Sequence, residues 1–83
     1  MKETWILGIR IHDRTQDVTA LQSILTKYGC TIRTRLGLHE VVDENVSVGG
    51  IILLELTGNK EEFLKLENEL LTLDGVTVKK MIF

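Results

Sequence analysis

The stretch from Cys30 to Gly58, CTIRTRLGLHEVVDENVSVGGIILLELTG, constrains the fold more than any other part of the chain. Two runs with the period-two alternation of β-strands flank an acidic connection that ends in Gly49-Gly50. In the first run Cys30, Ile32, Leu36 and Leu38 fall on one side, and Arg33, Arg35, Gly37 and His39 on the other. In the second, Ile52, Leu54 and Leu56 oppose Ile51, Leu53, Glu55 and Thr57.

The flanking segments complete the pattern. Trp5, Leu7, Ile9 and Ile11 alternate with Thr4, Ile6, Gly8, Arg10 and His12, which predicts a strand with one wholly apolar face. Asp13 with Gln16 and the charge of Asp17 read as a helix start, and Val18, Leu21, Ile24, Leu25 and Tyr28 recur at helical spacing until Gly29. Asn59 with Glu62 three residues on opens a second helix, whose Phe63, Leu64, Leu66, Leu70, Leu71 and Leu73 form its apolar arc before Gly75. A last strand sets Val76, Val78 and Ile82 inward and Thr77, Lys79, Met81 and Phe83 outward.

The order strand, helix, strand, strand, helix, strand is that of the ferredoxin-like α+β sandwich. It predicts a four-stranded antiparallel sheet in the order 4-1-3-2, two helices on one face and the other face open. On that open face the alternation places Ile6, Ile51, Leu53, Met81 and Phe83 among Arg10, Arg33, Arg35, Lys79, Glu55, His12 and His39. An exposed apolar group of this size predicts self-association through Ile6, Ile51, Leu53, Met81 and Phe83.

Eighty-three residues, 43% apolar and 27% charged, make one domain spanning 1–83. So small a core is marginal alone, and assembly into a dimer or tetramer is a common remedy. A net charge of −2 gives no electrostatic case for nucleic acid or an anionic membrane. The single cysteine excludes an internal disulfide and fits a reducing compartment, so a cytoplasmic location is expected. The apolar run Trp5 to Ile9 is too short for a signal peptide or a membrane span.

Arg35-Leu36-Gly37, Asp43-Glu44-Asn45, Ile51-Ile52-Leu53-Leu54 and Gly75-Val76-Thr77-Val78-Lys79 together resemble the small ferredoxin-like family of iron-only hydrogenase system regulators. That family is similar in turn to the metal-sensing C-terminal domain of nickel-responsive regulators and, more distantly, to ACT-type ligand-binding modules. The resemblance implies a bacterial regulatory module that acts as an oligomer, with no enzyme activity. The nickel-sensor pattern of a His-x-His pair and a later Cys is not met, since Gly37 precedes the sole strand histidine, His39, and Cys30 lies upstream of it. No metal or cofactor is therefore expected. The glycine common in ACT modules after the first strand is also missing from His12-Asp13-Arg14-Thr15-Gln16-Asp17, which argues against an amino-acid ligand.

A ligand site is expected at one end of the sheet, from Arg10, His12, Arg35, His39, Gly49 and Gly50, with the connection from Val41 to Gly50 as a flap. Guanidinium forks and titratable histidines there favour a small anion, while the competing reading has Glu55 neutralising the arginines across the strands. Glu67, inside the apolar arc of the second helix, is read either as a buried acid or as a residue at the rim. Trp5, on the inward face, is read as core rather than as a base-stacking platform. No Gly-rich phosphate loop and no nucleophile and base pair occurs. DNA binding by this chain alone is not expected, because no helix-turn-helix or ribbon-helix-helix pattern precedes Thr4. A partner-binding scaffold is the alternative function, and a small isomerase or degradative enzyme of the same fold a more distant one.

Overall fold

The computed structural model describes residues 3–12, 18–38 and 50–83. Its elements are β1 (Trp5–Ile11), α1 (Val18–Lys27), β2 (Ile32–Leu38), β3 (Ile51–Leu56), α2 (Lys60–Leu71) and β4 (Val76–Ile82). The strands form one antiparallel sheet in the order β2-β3-β1-β4, which is the expected 4-1-3-2 order read from the other edge.

Both helices lie on the sheet face that carries Trp5, Leu7 and Ile9 from β1 and Ile52, Leu54 and Leu56 from β3. Leu21, Leu25 and Tyr28 of the α1 segment and Phe63, Leu66 and Leu70 of α2 close the core over them. Trp5 is a core residue, with its ring centroid 5.5 Å from that of Phe63 and 4.7 Å from Lys80 Nζ. The Asn59 side chain accepts from the Glu62 backbone N–H at 3.0 Å and starts α2 as the capping pattern predicts. Gly75 takes a φ of 70°, a left-handed turn into β4 that glycine adopts without Cβ strain. The predicted cap residues of α1, from Asp13 to Asp17, lie outside the described residues.

The structure departs from simple alternation in β2. Ile32 pairs with Leu56, but Thr34 pairs with Glu55, so two residues of β2 oppose one of β3 and Arg33 is the extra residue of a β-bulge. Because side chains alternate with a period of two, one inserted residue exchanges the faces of everything beyond it. Leu36 and Leu38, expected toward the helices, therefore stand opposite Leu53 and Ile51 on the open face, 51% and 43% exposed. Arg35, expected on the open face, stands opposite the buried Leu54 and donates from Nη2 to Gln22 Oε1 of α1 at 3.0 Å.

Other side chains also sit differently from the pattern. Cys30, expected on the helix-covered side, is exposed in the turn before β2. Leu64 and Leu71 lie at the margin of the α2 arc and are exposed, as is Val18 at the first turn of α1. Ile82 is opposite Trp5 but on an edge strand, where the helices cover it only in part. Glu67 pairs with Lys80 Nζ at 3.1 Å, so it is a covered member of an ion pair between α2 and β4. Among the described residues no helix is long and apolar enough to cross a membrane.

Two substitutions test this packing. Leu54→Ala, at a fully buried central position, is expected to cost about 3 kcal/mol in denaturant unfolding. Gly50→Ala would set its Cβ 3.1 Å from the Leu38 carbonyl oxygen, and a loss of about 1–3 kcal/mol is expected because two paired backbones must separate.

Candidate functional site

The strand registers set the open face out as a grid. Leu38, Ile51, Arg10 and Thr77 form one row across β2, β3, β1 and β4, and Leu36, Leu53, Gly8 and Lys79 form the next. Thr34, Glu55, Ile6 and Met81 form the third, and Phe83 lies beyond Met81, exchanging backbone hydrogen bonds with Thr4. The two leucines that the bulge turns outward join Ile51 and Leu53 in one apolar block, diagonally opposite Ile6, Met81 and Phe83. The other two corners are polar. One carries Arg10, Thr77 and Lys79, the other Thr34 and Glu55.

Gly8 leaves a gap in this surface. A hollow of about 320 Å³ opens above it, bounded by Arg10, Ile51, Thr77 and Lys79. A Cβ at Gly8 would meet Leu53 Cδ2 at 3.6 Å, an ordinary contact, so the backbone would accept a side chain there and that side chain would fill the hollow. Guanidinium and ammonium groups beside an apolar floor suit a carboxylate or phosphate, whose oxygens take several charge-assisted hydrogen bonds. His12 Nε2 is hydrogen-bonded to Thr77 Oγ1, which ties the end of β1 to the wall of the hollow.

Of the residues expected to form a ligand site, Arg10, His12 and Gly50 share one end of the sheet, with the Ile11 N–H donating to the Gly50 carbonyl at 2.9 Å. Arg35 is on the other side of the sheet. His39, Gly49 and the connection between them lie outside the described residues. The expected neutralisation of the arginines by Glu55 loses Arg35 for the same reason, and Glu55 Oε1 instead accepts from Thr34 Oγ1 at 2.9 Å. Gly8, Thr77 and Lys79 are the site residues that sequence reasoning left out. An isolated glycine within a strand was the signal for the first. Among the described residues no three His, Cys, Asp or Glu side chains gather as metal ligands.

A second hollow, of about 470 Å³, lies between the end of α1 and the start of α2, bounded by Lys27, Tyr28, Cys30, Thr31, Glu62 and Lys65. At its edge the Tyr28 hydroxyl donates to Glu69 Oε2, and Lys27 Nζ reaches the same carboxylate at 3.0 Å. The hydrogen bond to Glu69 pushes the Tyr28 hydroxyl up to about 12, with burial and the carboxylate charge acting in the same direction. Glu69 is held below the usual carboxylate range, first by the Tyr28 hydrogen bond and then by Lys27. These contacts join α1 to α2.

Residues 4–80 match the model of the TM1266-like family, described as "Iron-only hydrogenase system regulator, putative". The chain belongs to this family. Among solved structures it is similar to the uncharacterized protein TM1266 from Thermotoga maritima, with 26% identity, a TM-score of 0.81 and 99% of each chain covered. The ACT domain from the GTP pyrophosphokinase of Chlorobium tepidum shares the fold at a TM-score of 0.65 and 18% identity, over 98% of this chain and 89% of that one. A formyltetrahydrofolate deformylase from Pseudomonas putida KT2440 shares it over 94% of this chain and 28% of its own, at a TM-score of 0.54 and 16% identity. No curated protein matches the chain. The family membership and the ACT-like fold agree with the resemblance drawn from the sequence motifs.

The tyrosine contact gives a spectroscopic test in this family member. Tyr28 is the sole tyrosine, so ultraviolet titration of tyrosinate should show a midpoint near 12, falling toward 10 in Glu69→Gln. Since its folded value lies above the unfolded one, its stabilising contribution is complete below pH 10 and is lost as pH rises toward 12. Glu69 acts with the opposite sign: its contribution is complete above the ordinary carboxylate pKa and is lost as pH falls through the lowered value.

Proposed function

We propose that the chain is a regulatory module without catalytic activity of its own, which works as a homo-oligomer assembled over its open sheet face. The observation that carries this reading is the apolar surface of Leu36, Leu38, Ile51, Leu53, Ile6 and Met81, on the sheet face that α1 and α2 leave uncovered. Contiguous apolar area of this kind on a small soluble domain marks an interaction surface, and covering it adds the core that 83 residues cannot build alone. Family membership and the ACT-like fold support regulation over chemistry.

A small anion is the ligand class that the hollow over Gly8 favours, with Arg10 and Lys79 as its charged walls and His12 acting through Thr77. The flap from Val41 to Gly50 and the adjoining His39 remain part of that proposal. A cytoplasmic bacterial setting accords with the reading.

Light scattering coupled to gel filtration tests the assembly. The wild-type chain should run as a dimer or larger at micromolar concentration, and Leu53→Asp or Leu36→Asp should yield a folded monomer. A wild-type monomer across that range, with its helical circular dichroism intact, would refute the proposal.

A further inference from the structure

The open face is complementary to itself in one particular orientation. Its rows are spaced by two residues along a strand, about 6.7 Å, and its columns by one strand, about 4.8 Å. The line from Leu38 through Leu53 and Ile6 to Phe83 advances one column and one row at each step, so it runs at about 36° to the strands. Apolar side chains occupy one diagonal, through Leu38, Leu53, Ile6 and Phe83, while Arg10 and Lys79 lie to one side of it and Glu55 to the other.

We propose that two copies pack these faces together about a two-fold axis lying along the Leu38 to Phe83 diagonal, with their strands crossing at about 70°, and that Glu55 of each copy enters the hollow over Gly8 of the other. This deepens the reading of the open face as a homo-oligomeric surface, and rests on it. A two-fold axis along the strands would stack the leucine block of one copy on Arg10 and Lys79 of the other. An axis across the strands would set Leu38 and Ile51 over Thr34 and Glu55, and Arg10 over Ile6. Only the diagonal axis puts apolar on apolar at both ends and opposite charges together in the remaining corners.

The hollow is the specific feature of this fit. In the grid, the position related to Gly8 by the diagonal is Glu55, so the hollow faces a carboxylate. The carboxylate meets Arg10 on one side and Lys79 on the other, with Ile51 and Thr77 completing the wall. Thr34 Oγ1 donates to Glu55 Oε1 at 2.9 Å and steadies the side chain in the free copy. In the paired copies the carboxylate of Glu55 takes the place of the free anion, which the hollow would hold only in the unpaired chain.

Sedimentation equilibrium on the full chain separates the outcomes. Glu55→Lys and Lys79→Glu should each raise the dimer dissociation constant about tenfold or more. The double variant should bind at least tenfold more tightly than Glu55→Lys, because the exchanged charges again face each other. Gly8→Val should raise the constant similarly by filling the hollow, and thermal melts of the dilute monomers confirm that each variant folds. If the wild-type is a dimer that Leu53→Asp dissociates, but the charge variants and Gly8→Val leave its constant unchanged, the diagonal arrangement is overturned while self-association stands. A monomeric wild-type overturns both.

Discussion

One unpaired residue in β2 governs the chemistry of this surface. Arg33 has no counterpart in β3, and beyond it every β2 side chain changes face. Had the strand run without the bulge, Leu36 and Leu38 would enter the helix side and Arg35 would join Arg10 on the open side. With the bulge, Arg35 instead reaches Gln22 of α1 on the helix side. The bulge thus converts a mixed, arginine-rich face into one with a continuous apolar block.

The helix-covered core has a different character. Trp5, Leu7 and Ile9 sit on a central strand, paired on both sides, and Phe63, Leu66 and Leu70 seal them from above. Lys80, on the same side of the sheet as Trp5, lays its stem and ammonium over the indole and pairs with Glu67 instead of breaking the core. A similar arrangement joins the helices, where Tyr28 and Lys27 share the carboxylate of Glu69. Both contacts bring charged groups to the edges of apolar layers without leaving a buried polar atom unpartnered among the described residues.

The two faces therefore divide stability and function. The covered face is closed by α1 and α2, and neither of these helices lies over the open face. Its arrangement by quadrants, apolar on one diagonal and oppositely charged at the other corners, is what an interface between identical copies requires, because each copy must supply both halves of every contact.

Local patterning in the sequence determined the elements and their order. Period-two runs in Trp5–Ile11 and Ile51–Leu56, the Asn59 and Glu62 cap and the turn at Gly75 are decided by neighbours a few residues apart, so they were legible without tertiary contacts. The open-face placement of Ile6, Ile51, Leu53 and Met81 followed from the same alternation. What tertiary structure alone decided was the register of β2 against β3. A bulge is a choice between pairing partners distant in sequence, and Ile-Arg-Thr-Arg-Leu alternates equally well with or without it. The exposure of Leu64 and Leu71 and the partial cover of Ile82 were likewise set by how far the helices extend over an edge strand. Gly8 was visible in the sequence as a residue, but it became a hollow only when Arg10, Thr77 and Lys79 from two strands rose around it, since a cavity is made by side chains that pairing brings together.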